Sequence, residues 1–224
     1  MKIIRPSVEF ITPMDEESAW NTMKRLELIG RTCYKSEDRI TDASCIKFLE
    51  GIIRRGHESV IEHASVTVKF ICDRGVSHEI VRHRIASYSQ ESTRYCNYGA
   101  EKFGENITFI KPCFFDEGSR EYERWKESCS DAEDAYFDLL EMGATPQEAR
   151  SVLPNSLKTE VVMTANIREW RHFFRLRCSK AAHPQMQEVA GLALAGFCIR
   201  MPVLFDDIRL EVIGDGQSRN LAEG

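Results

Sequence analysis

The sequence predicts an α+β fold (the broad α/β class): one domain over residues 1–224, with a central mixed or antiparallel sheet packed by helices. Short apolar or alternating runs at 3–11, 64–72, 107–110 and 158–165 read as strands. Longer segments between and after them carry apolar residues at helical spacing. No internal repeat, low-complexity linker or break in composition divides the chain.

In chain order, the opening strand presents Ile3, Ile4, Val8, Phe10 and Ile11. Asp15 caps a helix running to about Thr32, with Trp20, Met23, Leu26 and Leu28 as core candidates. A second helix starts near Thr41 or Asp42, carries Ile46, Phe48, Leu49, Ile52 and Ile53, and stops at Gly56. Val66, Val68 and Phe70 then alternate with Thr67 and Lys69, the pattern of a half-buried strand. Asp73-Arg74-Gly75 turns the chain into a central helix, and the later strand at Ile107–Ile110 ends at Pro112. Residues 116–142 form one long helix with a solvated charged face and Tyr122, Trp125, Ala132, Tyr136 and Leu139 at helical spacing. Thr145-Pro146-Gln147-Glu148 is a capping box with proline at the first helical position. A strand at Lys158–Ala165 leads into a second basic helix, Asn166–Arg177. His183-Pro184 opens the last long helix, with Met186, Val189, Ala190, Leu194, Phe197 and Cys198 inward, and Pro202 breaks it. The Gly-, Asp-, Ser- and Asn-rich tail after Ile213 is expected to fray.

Composition bounds the function. Hydrophobic residues are 42% and charged residues 29%, ordinary for a soluble globular protein. A formal net charge of −5 argues against a general nucleic-acid binder, which needs a basic footprint. The apolar run Val189–Phe197 is too short to span a membrane, and the first residues lack a basic region followed by a hydrophobic core, so a cytoplasmic protein is expected. The eight cysteines (Cys33, Cys45, Cys72, Cys96, Cys113, Cys129, Cys178 and Cys198) include no CxxC pair. They read as reduced, mostly buried small hydrophobes, not as a disulfide framework, a zinc site or a nucleophile.

The central helix ends in Arg82-His83-Arg84, and a polar, hydroxyl-rich run follows through Tyr95. Successive helical side chains turn by about 100°, so three basic groups in a row point three ways. Val76, Ile80, Val81 and Ile85 spread round the helix and predict that it is mostly buried. Buried guanidinium groups need an anion or acceptor to offset desolvation. Forked donors, hydroxyls and flat rings suit a phosphorylated, ring-containing ligand. The chain has neither GxGxxG nor GxxxxGK[ST], so if it holds a dinucleotide, arginines must supply the phosphate contacts. Arg82, Arg84, Arg94, Arg150, Arg168 and Arg177 are available.

On the second basic helix Trp170, Phe173 and Phe174 define the core face, with Arg168, Arg171, His172 and Arg175 opposite. Arg177 falls on the aromatic face; it either snorkels to water past the helix end or is held to fork onto a ligand. The segment His57-Glu58-Ser59-Val60-Ile61-Glu62-His63 has the spacing HExxxEH, not HExxH, and reads as a polar turn without a metal. Ser92 with His83 as base lacks a GxSxG elbow and an identifiable acid, so a hydrogen-bonding serine is the simpler reading.

Arg82-His83-Arg84, seven residues, then Ser92 resembles the signature of the flavin-dependent thymidylate synthases, and the resemblance extends over nearly the whole chain. It implies reductive methylation of dUMP to dTMP, with methylenetetrahydrofolate as carbon donor and FAD reduced by NADPH, in a homotetramer whose sites combine subunits. Carried onto this sequence, it implies flavin contacts at Ser59, Arg82, His83, Arg84, Gln90, Asn166, Arg168 and His172. It implies nucleotide contacts at Glu79, Arg82, Gln90, Ser92, Arg94 and Arg150, with Arg177 pairing with the uracil and favouring its ionised form. The family often has Asn-Glu at Ser89-Gln90, Gln at Glu79 and Asn at His172; Glu79 adds an anion near a phosphate subsite. The other function classes are an arginine-based nucleic-acid-binding module, which the net charge opposes, and a metal-dependent hydrolase using His57 and His63.

Overall fold

The computed structural model describes residues 1–96, 98, 99 and 106–220, with 213–220 described by backbone alone. The expected opening strand is two, β1 (Lys2–Ile4) and β2 (Ser7–Phe10). Pro6 lies between them and lacks the N–H that a continuous ladder uses. β2 opens an antiparallel four-stranded sheet of order β2-β3-β6-β4, with β3 at Ser65–Asp73, β4 at Ala86–Gln90 and β6 at Lys158–Asn166. β1 instead pairs in parallel with β5 (Thr108–Ile110), Lys2 opposite Thr108 and Ile4 opposite Ile110. The α+β class read from the sequence is the observed one.

The chain forms two compact units: the first is Met1–Ser7, Lys69–His83 and Tyr88–Val162; the second is Val8–Val68, Arg84–Ser87 and the chain from Met163 onward. In the first unit, α3 (Arg74–Ile80), α4 (Arg120–Glu141) and α5 (Pro146–Ala149) accompany the β1–β5 pair. Its core gathers Ile107, Phe109, Cys129, Tyr136, Ala149 and Leu157. Cys129, Glu133 and Tyr136 recur every three or four residues, so α4 buries one stripe and leaves its other charges to water. Gly143 has φ 92° after α4, and the Glu148 carboxylate accepts from the Thr145 N–H at 2.8 Å, as the turn and cap residues predict.

In the second unit lie α1 (Glu16–Thr32), α2 (Ser44–Arg54), α6 (Ile167–Arg177), α7 (Pro184–Arg200) and α8 (Pro202–Asn220). Asp15 caps α1, accepting from the Ser18 N–H at 2.9 Å. Leu28, expected in the core, is 51% exposed; the buried stripe is Ala19, Met23, Leu26, Glu27 and Gly30. Glu27 tolerates burial because Arg31 Nε (2.7 Å) and Ser44 Oγ (2.8 Å) donate to its carboxylate. Trp170, Phe173, Phe174, Phe197 and Phe205 stack edge and face with centroids 4.7–5.9 Å apart, and the Trp170 indole N–H donates to the Val66 carbonyl at 3.0 Å.

Pro202 ends α7 as expected, but it also starts α8, whose Leu204, Phe205 and Ile208 are buried. Proline fits the first helical turn, where its missing N–H has no intrahelical partner to lose. The fraying expected after Ile213 is not what the backbone gives as far as Asn220; residues 221–224 lie outside the described residues. No described helix is long and apolar enough to cross a membrane.

Gly196 on α7 lies under the Phe10 ring: a Cβ there meets ring carbons at 2.4 and 2.6 Å. Phe10 is held by Phe197 (5.2 Å) and Arg200 (4.9 Å), so the ring has little freedom to yield. Alanine gains about 1 kcal/mol of helix propensity, but overpacking costs about 1–3 kcal/mol. Gly196→Ala is therefore expected to lower the unfolding free energy by about 1 kcal/mol, read from the urea midpoint.

Candidate functional site

Arg82-His83-Arg84 does not project from a buried helix. α3 has seven residues and ends at Ile80; its N-terminus is capped by Asp73, which accepts from the Val76 N–H at 2.8 Å. The chain leaves through N–H bonds of Val81 to Ser77, Arg82 to Glu79 and His83 to Ile80. His83 is buried, whereas Arg82, Arg84 and Ile85 are exposed. Ending the helix spares both guanidinium groups the cost of burial, so neither requires a ligand to offset it. The Tyr88 hydroxyl lies 2.6 Å from the His83 carbonyl and 3.0 Å from that of Ile80, and its single proton pins this turn.

The first unit holds Glu79, Arg82, His83, Gln90, Ser92, Arg94 and Arg150. Glu79 is half-buried in the last turn of α3. Gln90 donates to Ser77 Oγ at 2.9 Å and Thr159 Oγ1 at 3.3 Å, so its two N–H donors are committed to holding β4. Next to it Glu91 accepts from Lys158 Nζ (3.0 Å) and the Tyr98 hydroxyl (3.1 Å). Lys158 also bonds Glu160 at 2.6 Å; burial works against its charge, but the two carboxylates outweigh that and raise its pKa. This ties down the segment entering Ser92, whose Oγ accepts from the Arg94 N–H at 3.3 Å, while the exposed Arg94 guanidinium lies 5.4 Å from the Tyr95 ring centre.

Arg150 donates to Thr93 Oγ1 at 2.9 Å and lines a cleft of about 510 Å³ with Arg74, His78, Thr93, Ser151 and Asn155. No acidic side chain among the described residues lines it. Arg74 Nη1 is buried without a hydrogen-bond partner among the described residues. A basic cleft with an unsatisfied buried donor is a place for an anion. In the sequence alone Arg74 reads only as part of a turn, and His78 belongs to no motif. The available signal was their i, i+4 spacing, which puts both on one face of α3.

The second unit holds Ser59, Arg84, Asn166, Arg168, His172 and Arg177. Asn166 caps α6, its Oδ1 accepting from the Glu169 N–H at 2.9 Å, and it shares a cleft of about 530 Å³ with Arg168, His172, Arg175, Glu58 and Glu62. That size is in the range of small-molecule sites. Ser59 is exposed, in the 3₁₀ turn Glu58–His63. Glu58 and Glu62 of that turn face arginines: Arg168 meets Glu62 at 2.5 Å and Glu58 at 3.8 Å. An exposed pair of this kind is worth at most about 1 kcal/mol, so an anionic ligand group can displace Glu62 from Arg168. Arg177, the last residue of α6, is half-buried, while Trp170, Phe173 and Phe174 are fully buried.

Arg171 departs from the expected arrangement of this helix. Expected opposite the core face, it is 1% exposed. Centring the face on three aromatics misplaced it: Ile167 and Cys178 are buried too, and they move the centre of the buried face toward Arg171. Its fork meets Asp207 at 2.8 and 2.6 Å, Nη1 also donates to the Leu204 carbonyl, and Nε donates to Glu58 at 3.2 Å. Burial works against this charge, but the Asp207 hydrogen bonds and charge prevail and raise its pKa. Among the cysteines, burial pushes the Cys129 and Cys198 thiols up to about 11 and that of Cys178 to about 12, far from a nucleophile's range.

Each unit thus carries a cleft with forked cationic donors, the equipment of an α+β enzyme that handles anionic small molecules. Residues 17–203 match the sequence family described as thymidylate synthase complementing protein. The flavin-dependent thymidylate synthase of Pyrococcus furiosus is 36% identical over 181 residues, covering 80% of this chain and 71% of its own. That of Corynebacterium glutamicum is 31% identical over 230 residues, covering 92% and 89%. A crystal structure of a UMP/dUMP methylase PolB from Streptomyces cacaoi bound with 5-Br dUMP has the same fold, with a TM-score of 0.74 at 22% identity over 92% of this chain and 96% of that one. The chain belongs to the thymidylate synthase complementing protein family.

Proposed function

We propose that the protein is a flavin-dependent thymidylate synthase that methylates dUMP to dTMP, with FAD bound, methylenetetrahydrofolate as carbon donor and NADPH as reductant. The observation that carries this reading is the acid-free cleft of the first unit, where Arg74, His78 and Arg150 offer cationic or hydrogen-bonding groups to a phosphate monoester. Ser92, Arg94 and Arg82 complete the nucleotide contacts, with Glu79 and Gln90 as hydrogen-bonding neighbours. Arg177 pairs with the uracil edge and stabilises the negative charge that develops on the ring.

The second unit's cleft fits the flavin by its donor set. Arg168, His172 and the Asn166 amide suit a pyrophosphate, while Glu58 and Glu62 can accept from ribose hydroxyls. Ser59, Arg82, His83, Arg84 and Gln90 are the further cofactor contacts in this reading. When bound, the flavin supplies the hydride that reduces the transferred one-carbon unit to a methyl group. The protein works as a cytoplasmic homotetramer of single-domain chains, and its partners are small molecules, not nucleic acid or membrane.

Two measurements test this. Denatured full-length protein is expected to release FAD; a colourless protein that also takes up no added FAD overturns the reading. Arg150→Ala removes one charge-assisted contact worth about 1.5–3 kcal/mol, so KM for dUMP is expected to rise about 10- to 100-fold. An unchanged KM removes Arg150 from the nucleotide site.

A further inference from the structure

Three arginines of α6 converge on one carboxylate. Glu58 lies 3.2 Å from Arg171, 3.7 Å from Arg175 and 3.8 Å from Arg168. The spacing 168, 171, 175 puts them on one side of the helix, where without acids they would repel. Only Arg171 is buried; the side chains of Arg168 and Arg175 are 53% and 37% exposed. Arg175 also reaches Asp207 at 3.4 Å and Glu211 at 3.3 Å. Arg171 is therefore the fixed member, forked onto Asp207 and bonded to the Leu204 carbonyl of α8, and it presents one remaining donor to Glu58. Glu58 lines the second unit's cleft together with Arg168 and Arg175, and Arg171 does not.

We propose that Arg171 is a positioning residue of the cofactor cleft: anchored on α8, it fixes Glu58, and Glu58 sets where Arg168 and Arg175 hold their charges. The inference rests on the reading of that cleft as the flavin site. It gives α8 a role in cofactor binding although none of its described side chains lines the cleft. Lysine at position 171 keeps the charge but cannot bond Asp207, Leu204 and Glu58 together, because it lacks the planar fork. Glu58 then loses its one rigid partner, and the exposed arginines lose the reference that orders them.

The test is FAD affinity of the full-length protein, measured by flavin fluorescence well below the onset of melting, for Arg171→Lys, Asp207→Asn, Arg168→Ala and the Arg171→Lys/Arg168→Ala double variant. Arg171→Lys is expected to weaken FAD binding about tenfold and Asp207→Asn to weaken it in the same direction. The double variant is expected to bind less weakly than the sum of the two single effects, since Arg171 acts in part through Arg168. A merely structural residue does otherwise: its substitution leaves FAD affinity unchanged in the folded protein, or adds in full to Arg168→Ala. Either of those results overturns the inference alone, and Asp207→Asn decides it if Arg171→Lys fails to fold. A wild-type protein that takes up no FAD overturns the cofactor reading and this inference together.

Discussion

Arg177→Lys is expected to retain the fold and FAD yet lose about 100-fold or more in dUMP turnover, the usual cost of removing one preorganised electrostatic contact at a developing charge. Arg177 closes α6 beside fully buried aromatics and is itself half-buried. A guanidinium there offers two parallel N–H donors to a pyrimidine edge; an ammonium offers a point charge that does not fit both acceptors. A side chain that merely snorkels past the helix end predicts the opposite, because lysine snorkels equally well. The rate of dTMP formation, with FAD content and melting temperature measured on the same sample, separates the two. A near-normal rate removes Arg177 from the catalytic centre.

Arg171→Met is expected to cost about 3 kcal/mol of stability. Removing one partner of a buried ion pair typically costs about 3–5 kcal/mol, because the other charge is left unpaired. The lower end applies: the side chains of Glu58 and Asp207 are 20% and 35% exposed, and Arg175 stays within 3.7 and 3.4 Å of them. For a chain of this size that is a fall of about 6–12 °C in Tm. The difference is pH-dependent. Burial alone would raise the Asp207 pKa, but the Arg171 hydrogen bond and charge hold it below the ordinary carboxylate value. A depressed folded-state pKa gives stability that is complete above the unfolded value and lost as the pH falls through the folded one. Wild type and Arg171→Met are therefore expected to converge in urea stability below the ordinary carboxylate range. A gap that persists there, or no gap at neutral pH, contradicts the role given to the Arg171–Asp207 pair.

What the sequence determined by itself were the elements whose signals are local. Asp15, Asn166 and the Thr145–Glu148 cap mark helix starts because a side-chain oxygen within three residues satisfies an otherwise orphaned N–H. The alternation of Val66, Val68 and Phe70 in β3 records one buried face, and the spacing from Arg82-His83-Arg84 to Ser92 marked the family. The tertiary structure decided what depends on partners distant in the chain. Leu28 is exposed and Glu27 buried because Ser44, from another helix, joins Arg31 in bonding that carboxylate. The helix ends before Arg82 although its apolar pattern runs on, since nothing local tells a guanidinium whether an anion waits for it. Arg74 and His78 join Arg150 in one cleft from segments some 70 residues apart in sequence. Arg171 is buried because Asp207 and Leu204, more than 30 residues on, supply its acceptors. Propensity and periodicity act over a few residues, whereas the burial of a charge is decided by whichever acceptors the fold brings within about 3 Å.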